Sequence, residues 1–393
     1  MAEKENIEEG LTGDKIEEGL IVEDTKKLKI WRIIAVVLLI IVITLATLYA
    51  LGIGWKEEKQ EEPKEEEKPP TESILTLWKE DSKSKQELVS YIKKVTDKNG
   101  GKYIPPEDRI AVFDFDGTIF CETDTLYFDY LMFSYRVLND TDYMGKATQE
   151  EIDAANIVIS ADIHHIPPNL QMAEANAYPH AFENMTYKQL EDYTKNYMKL
   201  DSVTFEGMKR GEEFFEPMVE LIQYLQANDF QVYICSGGDR HIYRTVARSR
   251  LNIPEDHIKG TIASVAATGQ KNRSDSTYEY KNDDELIVGG DFIYKNVRMN
   301  KVSLIKTEIG KQPVLSFGNS AGDYSMAAYV TSGKKYESRA FMICCDDLVR
   351  ENGNEEEANK MKTKCGNTPN WVAVSMRDDW IRIFAEGVKK KGT

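Results

Sequence analysis

The stretch Arg109–Cys121, which reads RIAVFDFDGTIFC, decides the fold that the rest of the chain can adopt. It begins with the apolar run Ile110–Phe115, of the kind that a buried parallel strand needs. Asp114 and Asp116 are two residues apart, so on an extended strand their side chains share one face. Carboxylates that are crowded at the end of a buried strand repel each other and lose solvation, unless a cation or a reaction needs them there. The stretch therefore predicts a buried strand that ends in an acidic site.

The strand must stop and turn at Gly117 and Thr118. Glycine can adopt the positive φ that a tight turn requires, and Thr118 offers a hydroxyl and a backbone N–H at the same mouth. An alternative interpretation is an ordinary strand followed by an Asp-Gly turn, with both acids in solvent. Other motifs of the chain are needed to decide between the two.

Composition restricts the class of protein. The chain has 393 residues, with 50 basic and 66 acidic side chains and a net charge of −16. An acidic chain without a basic stripe is a poor candidate for nucleic-acid binding, so we expect no nucleic-acid partner. The five cysteines do not resemble a disulfide framework or a zinc site, and Cys121 and Cys235 are expected to be small buried hydrophobes.

The first 72 residues do not resemble a globular domain. Residues 1–32 are a polar tail, and residues 54–72 are a linker of Glu, Lys and Pro. Residues 33–53 carry no charge, and as a helix they span about 31 Å, the thickness of a bilayer core. Trp31 and Trp55 stand at the two edges, where interfacial aromatics are enriched. We predict one transmembrane helix over 33–53, because the run is too long for a cleaved signal peptide.

The orientation follows from the flanking charges. Lys and Arg crowd the N-terminal flank, whereas the lysines after the apolar segment are diluted among glutamates. The positive-inside rule then predicts a single-pass protein of the cell membrane with a cytoplasmic N-terminus and an extracellular C-terminal part.

Strands alternate with helices through the rest of the chain. Beyond the first strand, apolar runs predict strands over Phe230–Cys235, Thr261–Val265, Glu285–Asn296, Pro313–Phe317, Ala340–Cys345 and Trp371–Val374. Helical spacing or position predicts helices over Ser73–Lys98, Phe214–Asn228, Arg240–Arg250, Lys301–Ile309 and Asp378–Val388. This alternation predicts an α/β fold, a Rossmann-like doubly wound sheet of parallel strands whose ligand site lies at their carboxyl ends.

One long insertion interrupts the alternation. Residues 127–215 are mostly helical and rich in aromatics, and they are too long for a loop between two strands. We predict a helical cap domain over 127–215, inserted into a core made of residues 73–126 and 216–393.

Two further polar motifs follow predicted strands. Ser236-Gly237-Gly238 combines a hydroxyl with glycines that let backbone N–H groups approach an anion, although alone it is also an ordinary turn. Gly318–Asp323, GNSAGD, follows another strand, and Lys301 opens a helix. A carboxylate that attacks a phosphate meets a repulsion of about 4 kcal/mol at 4 Å and an effective dielectric near 20, which a lysine and a divalent cation reverse. Hard oxygen ligands favour Mg²⁺ over zinc.

In this order, DFDGT, SGG, the helix-opening lysine and GNSAGD resemble the haloacid dehalogenase superfamily of phosphatases. The resemblance covers about residues 105–385 and is closest to the phosphoserine- and phosphocholine-phosphatase-like members, whose helical cap follows the first motif. It implies that Asp114 is the nucleophile that forms an aspartyl-phosphate. It also implies that Asp116 is the general acid and then the base that activates water.

The resemblance also implies a ligand set. Ser236, Gly237 and Lys301 would hold the phosphate, with Thr118 at the same mouth. Mg²⁺ would bind to Asp114, to the backbone carbonyl of Asp116 and to the last motif. There the family usually has Gly-Asp and this chain has Gly318-Asn319, so either Asn319 or Asp323 is the ligand.

The sequence therefore predicts a membrane-anchored, Mg²⁺-dependent phosphatase of a small phosphomonoester, with phosphocholine and phosphoserine as rival substrates. Tyr127, Phe128 and Tyr130 either hold a quaternary ammonium by cation–π attraction or belong to the cap core. Two alternatives stay open: a non-catalytic surface protein that binds a phosphorylated ligand, favoured by Asn319 alone, and a phosphotransferase. A P-type ion pump is excluded by the single span and the missing Asp-Lys-Thr-Gly motif.

Overall fold

The computed structural model describes residues 31–32, 34–40, 43–44, 47 and 75–392. The chain divides into two units, residues 1–67 and 68–393. In the first unit the described residues are helical, and apolar side chains such as Leu39 are exposed. Nearly all of the predicted tail, the linker and part of the predicted span (33, 41–42, 45–46 and 48–53) lie outside the described residues. None of the helices seen in the described part combines the length and the hydropathy of a membrane span.

A seven-stranded sheet forms the centre of the second unit, in the order β5-β4-β3-β1-β6-β7-β8. Its strands are β1 Ile110–Phe113, β3 Gln231–Asp239, β4 Ile258–Ala267, β5 Leu286–Tyr294, β6 Leu315–Gly318, β7 Arg339–Cys344 and β8 Trp371–Ser375. Neighbours are parallel, except that β5 runs antiparallel to β4. A separate antiparallel pair joins β2, Phe205–Glu206, to β9, Lys389–Lys390. The predicted α/β fold with a mostly parallel sheet is confirmed.

The two faces of β1 are both covered. Ala111 and Phe113 belong to one buried apolar cluster, and Ile110 and Val112 belong to another. Strand alternation places these two pairs on opposite faces of the sheet. A continuous apolar strand is stable here because water reaches neither face.

The chain reverses its direction of travel across the sheet at β1. It runs outward from β1 through β3 and β4 to β5, then returns to β6 and runs outward to β8. Open α/β sheets bind ligands at such a switch point, beyond the carboxyl ends of the strands. The predicted motifs lie at the carboxyl ends of β1, β3 and β6, which are adjacent in the sheet.

The helices of the second unit fall into three stretches of the chain. The first is α1, Lys83–Thr96. Between β1 and β3 lie α2 Phe128–Leu138, α3 Gln149–Ser160, α4 Leu170–Ala181, α5 Tyr187–Tyr197 and α6 Glu216–Ala227. After β3 come α7 Arg240–Arg248, α8 Met299–Leu304, α9 Tyr324–Thr331, α10 Glu355–Gly366 and α11 Met376–Asp379. Residues 127–215 are thus rich in helix, while their boundaries as a separate cap stay a prediction.

The predicted helix Asp378–Val388 is wrong. Only Met376–Asp379 is helical at this point, and the chain continues through a bridge at Trp380 into bends and turns. The N–H of Ile381 donates to the carbonyl of Leu77 at 2.8 Å, and Trp78 forms an antiparallel bridge with Trp380. The pairing with a distant segment competes with a helix here, and the local sequence does not indicate it.

Candidate active site

The first motif leaves β1 and turns back on itself at once. Asp114 and Asp116 are both buried, and the N–H of Asp114 donates to the carbonyl of Phe317 on β6 at 2.9 Å. Gly117 has a φ of 69°, and a Cβ at this residue would lie 1.9 Å from Nδ2 of Asn319. A glycine is therefore required here, because the first and last motifs touch at this turn.

Lys301 joins these two motifs. It lies in α8, and its Nζ donates to Oδ1 of Asp114 at 2.6 Å and to Oδ1 of Asp323 at 2.7 Å. Burial lowers the pKa of Lys301, but the two carboxylates outweigh burial and keep this pKa above its ordinary value. The ammonium therefore stays charged between the two acids.

The last motif is closed by its own aspartate. Oδ2 of Asp323 accepts hydrogen bonds from the backbone N–H groups of Asn319 and Ser320, both at 3.1 Å. Nδ2 of Asn319 donates to Oε1 of Glu122 at 2.7 Å, while its Oδ1 accepts a long hydrogen bond of 3.4 Å from Thr118. Asn319 thus faces Glu122, and Asp323 faces Lys301.

The site holds more buried acid than base. Burial and then the charge of Asp323 raise the pKa of Asp114 to about 7, against the opposing effect of Lys301. Burial and then Asp129 raise the pKa of Asp116 well above its ordinary range. Burial and then Asp114 and Asp323 raise the pKa of Glu122 to about 8. Each raised pKa indicates a carboxyl group without enough positive charge nearby to stabilise its ionised form.

The Ser236-Gly237-Gly238 motif lies within β3 rather than after it. The register of β3 against β4 shifts between Cys235 and Asp239, so the motif forms an irregular end of the strand. Ser236 is fully buried, and its Oγ accepts the N–H of Gly238 at 3.0 Å. The predicted strand over Phe230–Cys235 is therefore confirmed but ends too early.

A cavity of about 120 Å³ lies at the carboxyl ends of these strands. Five of the predicted site residues line it: Asp114, Asp116, Gly237, Lys301 and Asp323. Thr118, Ser236 and Asn319 are absent from its lining, and their roles in binding phosphate or metal stay predictions. Tyr127 and Tyr130 also line the cavity. Tyr130 belongs at the same time to the buried core together with Phe128, so the role of these aromatics in binding stays a prediction.

Sequence reasoning missed several residues of this cavity. Glu122, Asp129, Lys295 and Arg298 line it, and Tyr243 touches Asp116 from behind. They lie outside the four motifs, and no spacing in the sequence marks them. Their positions depend on how α7 and the segments after β1 and β5 fold over the end of the sheet.

The oxygen-rich side chains that line the cavity are suited to binding a divalent cation. Among the described residues, no three His, Cys, Asp or Glu side chains already surround a metal-sized position. The donors at the site are nevertheless hard oxygens, which Mg²⁺ prefers. Oδ1 of Asp116 is buried without a hydrogen-bond partner among the described residues. The raised pKa values of Asp114 and Glu122 also indicate that further positive charge would be favourable there.

The comparison with known families agrees with this site. Residues 109–273 match the family model of the haloacid dehalogenase-like hydrolases. No curated protein matches the sequence. The match spans the first two motifs and confirms the resemblance to the superfamily over residues 109–273. The phosphoserine- and phosphocholine-phosphatase-like subgroup stays a prediction. More narrowly, the family and the site together define an enzyme, a phosphoric monoester hydrolase.

The solved structures that are similar to the chain include three that illustrate the range. One is a conserved protein of unknown function from Anaerococcus prevotii, with 15% identity and a TM-score of 0.44, over 74% of this chain and 92% of that one. Another, of unknown function from Bordetella pertussis, has 13% identity and a TM-score of 0.43, over 68% and 97% of the two chains. The third is a phosphoserine phosphohydrolase-like protein from Francisella tularensis, with 16% identity and a TM-score of 0.33, over 60% and 87%. The assignment to a family rests on the family match and the site rather than on these structures.

Proposed function

We propose that the protein is a membrane-anchored, Mg²⁺-dependent phosphatase that hydrolyses a small phosphomonoester through an aspartyl-phosphate on Asp114. One observation carries the proposal. The buried ammonium of Lys301 lies within hydrogen-bond distance of both Asp114 and Asp323, in a cavity that Asp116 also lines. A protein that only binds a phosphorylated ligand does not need the acids Asp114 and Asp116 beside the phosphate. A displacement at phosphorus does need them, one as the nucleophile and the other as the proton donor.

In the first half-reaction, a carboxylate oxygen of Asp114 forms a bond to phosphorus as the ester P–O bond breaks. Asp116 gives its proton to the leaving alkoxide, which departs as the alcohol. Lys301 stays hydrogen-bonded to the nucleophile and offsets the charge that gathers on the phosphoryl oxygens. The raised pKa of Asp116 suits a proton donor near neutral pH.

In the second half-reaction, Asp116 takes a proton from water as the water oxygen attacks phosphorus. The bond between phosphorus and Asp114 breaks, which restores the carboxylate and releases inorganic phosphate. Bound Mg²⁺ would be held by Asp114, the carbonyl of Asp116 and the last motif, and it would supply the positive charge that the acidic cavity lacks.

The cavity favours a substrate with an anionic substituent over a quaternary ammonium. Nζ of Lys295 lies 4.9 Å from the ring centroid of Tyr130, so the protein's own cation uses a face that choline would need. Arg298 is exposed at the cavity, and its backbone has a φ of 54°, which few residues other than glycine adopt. Backbone strain of this kind is retained where a position must be held. We therefore place phosphoserine ahead of phosphocholine.

The membrane anchor is part of the proposal. Its support is the uncharged stretch 33–53 and the exposed apolar side chains of its described helical residues. The hydroxyls of Thr44 and Thr47 donate to backbone carbonyls four residues earlier, as polar groups must in a bilayer. The charge bias of the flanks supports a cytoplasmic N-terminus and an extracellular catalytic domain. Extraction with alkaline carbonate tests the anchor. Protease shaving of intact cells tests the orientation, and a protected catalytic domain would overturn it.

The test of the reaction uses the full chain in detergent with a panel of small phosphomonoesters, in Mg²⁺ and in EDTA, beside Asp114→Asn. We expect phosphate release that requires both Mg²⁺ and Asp114, and the panel ranks the substrates. No release from any ester by a folded protein that binds Mg²⁺ would overturn the proposal and favour phospholigand binding. Transfer of the phosphoryl group to added alcohols in preference to water would instead identify a phosphotransferase.

A further inference from the structure

Tyr243 places a buried hydroxyl between two carboxylates at the cavity. Its OH lies 2.6 Å from Oδ2 of Asp116 and 3.2 Å from Oδ1 of Asp129. All three side chains are buried. A phenol at this distance donates a strong, charge-assisted hydrogen bond to a carboxylate.

The local fold is shaped to let Tyr243 reach this place. The tyrosine lies on the first turn of α7, whose N-terminus is capped by the side chain of Asp239. A Cβ on Gly238 would lie 2.0 Å from Cε2 of Tyr243 and 2.6 Å from Oδ2 of Asp129. The second glycine of the SGG motif therefore makes room for the Tyr243 ring rather than serving phosphate alone.

Asp129 ties this arrangement to the helix that opens the predicted cap. It lies in the first turn of α2, and its Oδ2 accepts the backbone N–H of Asp239 at 3.1 Å. Its Oδ1 accepts the N–H of Tyr130 at 3.0 Å. The position of Tyr243 is thus fixed from two sides, by α7 and by α2.

The hydrogen bond leaves one oxygen of Asp116 available. Tyr243 occupies Oδ2, whereas Oδ1 has no hydrogen-bond partner among the described residues, and Asp116 lines the cavity. A carboxyl group held at one oxygen has its rotation restricted, so the other oxygen keeps a constant direction. An enzymatic reaction is faster when its proton donor is held in a fixed position and orientation.

We infer that Tyr243 is a positioning residue that fixes the carboxyl group of Asp116, with Asp129 coupling this alignment to the seating of α2. The inference rests on the proposed function. In the first half-reaction the proton passes from Asp116 to the oxygen of the breaking P–O bond, and Tyr243 keeps its own proton. Ring packing explains only part of the arrangement. The Tyr243 ring centroid lies 4.6 Å from that of Phe115, but this contact does not need a hydroxyl.

The test compares two leaving groups in the full chain in detergent. An alkyl ester such as phosphoserine needs a proton on its leaving oxygen, whereas p-nitrophenyl phosphate releases a stable phenolate without one. We expect Tyr243→Phe to lower kcat/KM about 10- to 100-fold for the alkyl ester and less than about 3-fold for the aryl ester. Asp129→Asn should shift the same ratio in the same direction by a smaller factor.

Tyr224→Phe is the matched control, since Tyr224 is a buried tyrosine on α6 whose OH has no hydrogen-bond partner among the described residues. It should leave the ratio of the two kcat/KM values unchanged. Equal losses on both esters, or no loss on either, in variants that melt like the control would overturn the inference while Asp114→Asn stays inactive. If Asp114→Asn keeps wild-type activity, the proposed function itself fails.

Discussion

At the scale of single residues, Asn319 shows why the last motif of this chain departs from the usual Gly-Asp. Its amide nitrogen donates to Glu122 at 2.7 Å, beside a turn so tight that Gly117 cannot carry a side chain. An aspartate at 319 would place two carboxyl groups in contact, which costs free energy without a cation between them. The amide at 319 and the acid at 122 are therefore best understood as a pair.

We predict that Asn319→Asp tightens Mg²⁺ binding and destabilises the metal-free protein. The added charge strengthens a hard-cation site, and the same charge repels Glu122 when no metal is present. The double variant Asn319→Asp with Glu122→Gln should recover the lost stability, because an amide again faces a carboxylate. Calorimetric titration with Mg²⁺ and thermal melting in EDTA measure the two effects. Unchanged Mg²⁺ affinity in the single variant would count against direct ligation at residue 319.

Arg298 gives a prediction about the substrate. If its guanidinium binds an anionic substituent, Arg298→Gln should lower kcat/KM for phosphoserine by about 10- to 100-fold, the value of one charge-assisted hydrogen bond. Phosphoethanolamine, which lacks only the carboxylate, should lose much less. Arg248→Gln is the control, because this arginine pairs with Glu255 at the far end of α7 and does not line the cavity. Equal losses on both esters would mean that Arg298 binds the phosphoryl group instead.

At the scale of elements, the segment before β1 is part of the folded unit. Trp78 is buried against Trp380 with ring centroids 5.9 Å apart, and α1 buries Leu88, Tyr91 and Ile92. Each buried apolar side chain contributes roughly 1.5–3 kcal/mol, against a total stability of about 5–15 kcal/mol for an ordinary domain. The segment therefore decides whether the unit folds.

We predict that a fragment of residues 73–393 is folded and soluble, whereas one of residues 104–393 is not. The shorter fragment lacks Trp78 and all of α1, so it exposes the groove that they fill. Circular dichroism melting and gel filtration distinguish the two, with phosphate release as a further readout. A cooperative transition in the shorter fragment at the temperature of the longer one would contradict the prediction.

A buried ion pair joins two elements beside the site and gives stability a pH dependence. Nζ of Lys295, just after β5, lies 3.2 Å from Oε2 of Glu174 on α4. Burial raises the pKa of Glu174 to about 7 although Lys295 opposes it, and Asp129 and Asp239 add to the rise. Because the folded pKa exceeds the ordinary value of about 4.3, the folded protein favours the protonated carboxyl of Glu174. The resulting stabilisation is complete below about pH 4.3 and is lost as the pH rises through 7, where the buried carboxyl ionises.

We therefore expect the wild-type protein to lose stability relative to Glu174→Gln between pH 5 and pH 8. The loss is about 1.4 kcal/mol for each unit by which the pKa is raised. Thermal unfolding of the full chain at the two pH values measures it. The same difference between wild type and variant at both pH values would show that Glu174 does not titrate in this range.

The strands and helices also show which parts of the fold the sequence could predict. β1, β6, β7 and β8 were predicted almost at their bounds, because a strand covered on both faces carries an uninterrupted apolar run. The end of β3 was missed because Ser236-Gly237-Gly238 suggests a turn, whereas a register shift keeps it in the sheet. The prediction of a helix over Asp378–Val388 was wrong at a place where the N–H of Ile381 bonds to Leu77, more than 300 residues earlier in the chain.

Across the whole molecule, the motifs predicted where the site lies but not the other residues that line its cavity. Asp114 and Asp323 lie close together because β1 and β6 are neighbours in the sheet, and Lys301 reaches both from α8. Tyr243 and Asp129 could not be predicted, because their contacts depend on how α2 and α7 pack across the end of the sheet. The predicted cap boundaries and the membrane orientation stay predictions.

The pairing of Trp78 with Trp380 affects how the protein folds while it is being synthesised. Trp78 is among the first residues of the folded unit to be synthesised, and Trp380 is among the last. An interrupted translation product that stops before residue 380 leaves the indole of Trp78 and the adjoining groove without cover. Exposed apolar surface of this kind is a signal for chaperones and proteases. The unit therefore covers Trp78 only after residue 380 has emerged from the ribosome.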